Sequence, residues 1–195
     1  MPLWLKIAYT LFLCVLVPAY WRKADAGPLN FLWFSDIALL ATALALWLES
    51  RLIASTMAVG VLLPELFWNL GFFVRLVTGK SITALTDYMF DVRRPLFMRG
   101  LSLFHVVLPP VLLWLVARLG YDGRALAAMT LLSLIVLPVT YAITKPEHNI
   151  NWVHGWGGRR PWGLSPRGYL AVVMAAFPIA VFLPTHLLLL AVFRR

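Results

Sequence analysis

Six apolar stretches, each close to the length of a bilayer crossing, leave this chain few ways to fold. They run over residues 3–20, 29–48, 53–77, 95–118, 124–143 and 168–193. About 20 apolar residues in an α-helix cover the ~30 Å of a hydrocarbon core. In lipid, the helix also satisfies every backbone N–H and C=O within its own segment. The prediction is an all-α fold, a polytopic transmembrane bundle of about six helices forming a single integral membrane domain. The content of apolar residues agrees: 62% of the 195 residues are hydrophobic, against about 45–50% in a soluble domain. A core this small cannot hide that much apolar surface from water.

Short links set the order of crossings. Glu49-Ser50-Arg51 predicts a hairpin of the second and third stretches, and Tyr121-Asp122-Gly123 one of the fourth and fifth. The first stretch, with Lys6 and Ala24-Asp25-Ala26, resembles a signal peptide in outline. Arg22 and Lys23 just before that pattern argue against cleavage, so it is read as a retained helix. Cys14, the single cysteine, cannot make an internal disulfide.

The net charge is +9. The basic residues lie in connections, not in a stripe on a soluble module, so nucleic acid is not an expected partner. Membrane lipids are, and a second copy of the chain is a further candidate. One side of the bundle collects Arg22, Lys23, Arg75, Lys80, Arg93, Arg94, Arg99, Lys145, Arg159, Arg160 and Arg167. The other holds Lys6, Arg51, Arg118, Arg124, Arg194 and Arg195. The positive-inside rule places the richer side, with the 1–2, 3–4 and 5–6 loops, in the cytoplasm. The compact loops suit a bacterial inner membrane.

Ionisable side chains inside hydrocarbon cost roughly 2.5–3.5 kcal/mol each and demand a reason. Asp36, Glu65, His105 and His186 are such residues, and Asn69 and Ser102 add uncharged polarity. Counted inward from the basic side, Asp36, Glu65, Asn69, Ser102 and His105 fall about 10–18 Å deep at 1.5 Å per residue. Glu65 and Asn69 share a helix face, as do Ser102 and His105. These five are expected to line one polar cavity opening toward the basic loops. His186 belongs to the other leaflet. Hydrogen-bonding glue between helices is the alternative reason for any one of them.

The 3–4 connection is dense in Asp and Arg, with Asp87, Asp91, Arg93 and Arg94. The 5–6 connection runs Glu147-His148-Asn149-Ile150-Asn151-Trp152-Val153-His154 and on through Trp156 and Arg159-Arg160-Pro161-Trp162. Trp and Arg there suit a headgroup belt or a lid over a substrate. Glu147, His148 and His154 have a spacing that matches no standard metal pattern, so no metal is assigned. No Gly-rich phosphate loop or GxSxG elbow is present, and no cofactor is expected.

Three segments carry a resemblance. They are Gly27-Pro28-Leu29-Asn30-Phe31-Leu32-Trp33-Phe34-Ser35-Asp36, then Val59-Gly60-Val61 with Phe67-Trp68, then His105-Val106-Val107-Leu108-Pro109. In this order they resemble the androgen-induced-gene family of membrane proteins, whose members hydrolyse fatty-acid esters of hydroxy fatty acids. Trp152-Val153 resembles a further segment of that family. Asp36 to Leu40 is also similar to a helix-2 run of YwaF-like bacterial membrane proteins. The resemblance implies a hydrolase with Thr on helix 2 and His on helix 4. The His falls on His105, whereas Trp33 stands at the Thr position, and indole is not a nucleophile.

Two kinds of function, and a structural one, follow as expectations. A lipid-acyl hydrolase or transferase would use His105 as general base on Ser102 or water, with Asp36 or Glu65 orienting it. Asn30, Trp33, Asn69, Arg99, His148, Asn151, Trp152 and His154 are the candidates for holding the lipid. A binder, carrier or proton-coupled transporter would use the same groups without turnover. A structural subunit would use them as glue.

Overall fold

The computed structural model describes residues 1–156 and 163–193, the side chain of Lys23 excepted. Arg159, Arg160 and Trp162 of the last loop, and Arg194 and Arg195, lie outside the described residues. Among the described residues the fold is all helix, with α1 (Leu3–Lys23), α2 (Phe34–Leu48), α3 (Arg51–Thr78), α4 (Leu96–Leu101), α5 (Phe104–Leu119), α6 (Ala125–Ile143), α7 (Pro166–Ala176) and α8 (Leu183–Phe193). Five spans are long and apolar enough to cross a membrane: α1, α3, α4 with α5, α6, and α7 through α8. The molecule is an integral membrane protein.

The second stretch departs from a single straight helix. Gly27, at φ +54°, and Pro28 open a 3₁₀ segment, Gly27–Leu32, and extended backbone at Trp33 separates it from α2. The 15 residues of α2 cover only about 22 Å at 1.5 Å per residue, short of a full crossing by themselves. The fourth stretch is also divided, at Ser102 and Leu103, between α4 and α5. In the sixth, a π-helical turn over Phe177–Phe182 joins α7 to α8. Pro178 and Pro184 bring no N–H to that region, and a proline inside a helix removes one ladder bond.

Around α3 the rest is arranged: α2, α5, α6 and α8 all pack on it. Every residue from Ala54 to Leu62 is buried, the pattern of a helix enclosed by protein on all sides. Gly60 leaves room for the Met129 side chain of α6, whose Sδ would lie 2.6 Å from a Cβ there. Ser50 caps the start of α3 by accepting from Ile53 N at 3.3 Å, and Gly79 ends it in the left-handed region. The link through Glu49 makes the expected α2–α3 hairpin. The 121–123 link joins α5 to α6, but both pack chiefly on α3 rather than on each other.

Outward faces are apolar. Leu3, Ile7, Leu11 and Val15 of α1, Leu66, Leu70 and Phe73 of α3, and Leu131 and Ile135 of α6 are exposed. In a membrane these side chains contact lipid.

Candidate functional site

A cavity of about 540 Å³ lies where the start of α2, the middle of α3 and the α4–α5 break meet. Asp36, Glu65, Ser102 and His105 all line it, together with Asn30, Trp33, Arg99, His148, Asn151 and Trp152. Asn69 and His154 do not. Depth along the helices thus brought four of the five polar helix residues to one cavity, but depth alone does not give rotation, and Asn69 bonds backbone carbonyls instead.

Its most ordered feature is a His–carboxylate pair. His105 Nδ1 lies 2.8 Å from Glu65 Oε2 and 3.0 Å from Oε1. With Glu65 ionised its oxygens only accept, and Nδ1 is then the donor of the pair. Glu65 is 2% exposed. The imidazole is stacked between Trp68, at 4.6 Å between ring centroids, and Phe104, at 4.0 Å. With Nδ1 committed and both faces covered, Nε2 is the free edge of the ring, and it makes no hydrogen bond to the described residues.

A proline explains the position of Asn69. In an α-helix the His105 carbonyl accepts from the residue four positions on, and that residue is Pro109, which has no N–H. Asn69 Nδ2 supplies the missing donor, 2.7 Å from His105 O and 2.8 Å from Glu65 O. One side chain therefore ties the backbone of both members of the pair.

Ser102 is not joined to His105. Its hydroxyl is hydrogen-bonded to that of Tyr20 at 2.9 Å and reaches Met98 O at 3.3 Å. Asp36, 3% exposed, accepts from Asn30 Nδ2 at 3.3 Å through Oδ2, while Oδ1 has no partner. Glu65, not Asp36, is thus the carboxylate that orients the histidine.

The last loop forms one wall. Asn151 accepts from Phe34 N at 3.2 Å and donates to Leu32 O at 2.8 Å, clasping the backbone on either side of Trp33. It is therefore the N-terminal cap of α2, supplied from over a hundred residues away. Trp33 meets Trp152 edge-on at 5.9 Å. Asn149, Asn151 and Trp152 all have positive φ, a conformation costly for a bulky residue such as Trp. His154 packs on Tyr141 and bonds Thr144 O at 3.1 Å, so it braces the loop from behind.

Near the basic rim, Arg93 pairs with Asp91 at 2.9 Å, Arg94 with Asp25, and Arg75 with Asp87. Hydrogen bonds from Arg93 hold the Asp91 carboxyl down to about 2. Burial pushes the Tyr88 hydroxyl up. Arg99 Nη1 donates to Met89 O at 3.1 Å, and its buried Nε has no partner.

Tyr20, Trp68, Tyr88 and Phe104 also line the cavity, and they were not singled out from the sequence for it. Trp68, one residue short of a turn beyond Glu65, was within reach of helical spacing. Nothing in the pattern of α1 marked Tyr20.

Fold and cavity together define a helical integral membrane protein with an open cavity that carries a buried His–carboxylate pair. No family model, curated protein or solved structure matches the chain.

Proposed function

We propose that the protein is an intramembrane hydrolase of lipid acyl esters, in which His105 activates water. The observation that carries this reading is the His105–Glu65 pair on the cavity wall, with Nδ1 bound to the carboxylate and Nε2 without a partner among the described residues. Nε2 takes a proton from water, and the hydroxide formed adds to the ester carbonyl carbon. Glu65 stabilises the imidazolium that results. The tetrahedral oxyanion then collapses, the C–O bond to the alcohol breaks, and His105 returns its proton to the leaving oxygen. The products are a fatty acid and an alcohol. Trp33 and Trp152 offer apolar surface to the acyl chain. The androgen-induced-gene resemblance supports ester chemistry, with water taking the place of the threonine that Trp33 replaces.

In this reading the basic loops face the cytoplasm of a bacterial inner membrane, and the cavity is reached from that side. Ser102 is turned to Tyr20, which favours water over serine as the nucleophile. The same turn is the one observation that favours a second reading, a cavity that binds lipid without turnover.

Purified protein reconstituted in nanodiscs tests this with a fluorogenic long-chain ester and a lipophilic fluorophosphonate. Ester turnover without covalent labelling is expected. Labelling that is lost in Ser102→Ala replaces water with serine, and absence of turnover leaves the binding reading.

A further inference from the structure

The cavity has a closed end. Among the described residues its lining reaches only as far as Asp36 on α2 and His105 on α5. Three residues further in on those helices, Leu39 and Leu108 are packed shut, at 2% and 1% exposure. On α3 the lining runs past Glu65 through Pro64 and Val61 and ends at Gly60. There the Met129 side chain fills the space that a Cβ would need, and Ala58 and Met57 beyond are buried. The helix α3 runs toward the basic side, so Gly60 lies deeper than Glu65, by about 7.5 Å at 1.5 Å per residue. Gly60, Val61 and Pro64 bring neither charge nor a polar side chain. Beyond the His105–Glu65 pair, therefore, α3 lines a short apolar recess.

We propose that this recess holds the alcohol arm of the ester, and that the substrates are single-chain fatty-acid esters of short, unbranched, apolar alcohols. The assignment rests on the hydrolase reading above, which lays the acyl chain on Trp33 and Trp152 at the loop side of the cavity. With the carbonyl carbon at His105, the other arm enters the recess. An extended chain advances about 1.2 Å per bond, so the depth takes about six carbons. The volume agrees. An engineered cavity of about 150 Å³ holds one benzene, and in that proportion the cavity here holds about twenty non-hydrogen atoms. Hexyl laurate has that size, and a diacyl glycerolipid far exceeds it. A glycerol phosphate is also unsuited to the recess, because its charge would lose water and gain no partner from Gly60, Val61 or Pro64. Val61, one turn inward of Glu65, is the side chain that sets the limit.

Competition between esters tests this. Equimolar hexyl laurate and octyl laurate are given together to wild-type protein in nanodiscs, and the two released alcohols are measured by gas chromatography. Their ratio is the ratio of kcat/KM. Butyl laurate against hexyl laurate reports the ascending side. Each methylene that enters the recess favours its ester by roughly fourfold, so hexyl should exceed butyl by about tenfold. Octyl, too long for the recess, should fall about tenfold below hexyl, and Val61→Ala should raise octyl relative to hexyl by about fivefold. Equal release from the two esters by wild type, or a preference for octyl, overturns the proposal. A preference for hexyl that Val61→Ala leaves unchanged overturns the assignment to Val61. Ketone analogues, with a methylene in place of the ester oxygen, separate the recess from turnover. Their binding is followed by the fluorescence of Trp33, Trp68 and Trp152, which line the cavity. Tighter binding of the hexyl than of the octyl ketone, without ester turnover, retains the recess and removes the hydrolase reading. Equal binding of the two ketones, or binding of neither, without turnover overturns both.

Discussion

Glu65 and His105, on neighbouring helices forty residues apart in sequence, are joined by a hydrogen bond of 2.8 Å from Nδ1 to the carboxylate. The bond does two things at once. It fixes the tautomer, so that the lone pair resides on Nε2, and it places a negative charge where a proton taken up by the ring is stabilised. Neither effect needs a third residue.

Replacing Glu65 by Gln keeps the shape and removes the charge. The amide also offers a donor as well as an acceptor, so the tautomer is no longer fixed. Ester turnover is expected to fall on the order of 10²-fold, within the range of general acid–base effects, with little change in KM. Steady-state kinetics in nanodiscs check this. An unchanged kcat would detach Glu65 from the chemistry.

Asn69 stands in for the N–H that Pro109 lacks. Asn69→Leu conserves approximate volume and leaves the His105 carbonyl without its 2.7 Å donor. The expected loss of stability is about 1 kcal/mol, typical of polar contacts between membrane helices. Turnover should fall as well, because the backbone under His105 loses its tie to α3. Unfolding in mixed micelles measures the first effect. Stability equal to wild type would show that the carbonyl finds another partner.

Asp122 makes the link between α5 and α6 sensitive to acid. It accepts from Arg124 N, Nε and Nη2, at 2.9–3.1 Å, while its own N–H donates to Ser55 Oγ on α3 at 3.0 Å. The hydrogen bonds from Arg124 lower its carboxyl from 3.8 to about 2. A folded value below the unfolded one means that the stabilisation is complete above about pH 4. It is lost as pH falls through the folded value near 2. Thermal melts between pH 5 and pH 2 should therefore show a drop in wild type that is smaller in Asp122→Asn. Parallel curves for the two proteins would contradict it.

Much of this fold was readable because lipid imposes a length rule on every crossing. The stretch read as 124–143 is α6 within one residue at its start. The breaks were harder. Trp33 interrupts the second stretch because Asn151 caps α2 from a distant loop, and no local motif announces a cap supplied across the fold. Depth counting brought Asp36, Glu65, Ser102 and His105 to one cavity, since 1.5 Å per residue is a reliable ruler. It could not choose between the two carboxylates. That choice depends on how α2 and α3 rotate about their axes, and rotation is set by packing on α5. The role of Asn69 was hidden for a different reason. Its partner is a backbone carbonyl made needy by a proline four residues on, a relation between two helices that a pass along one strand of sequence does not pair.

The comparison of His105→Ala with Ser102→Ala in one ester-hydrolysis experiment bears most directly on the mechanism. Both variants are assayed in nanodiscs beside wild type, with folding verified by melting temperature. Hydrolysis by His105→Ala is expected to fall about 10²–10⁴-fold, while Ser102→Ala stays within about tenfold of wild type. Turnover that survives in His105→Ala, or that collapses equally in Ser102→Ala, contradicts water activation by the Glu65-held histidine.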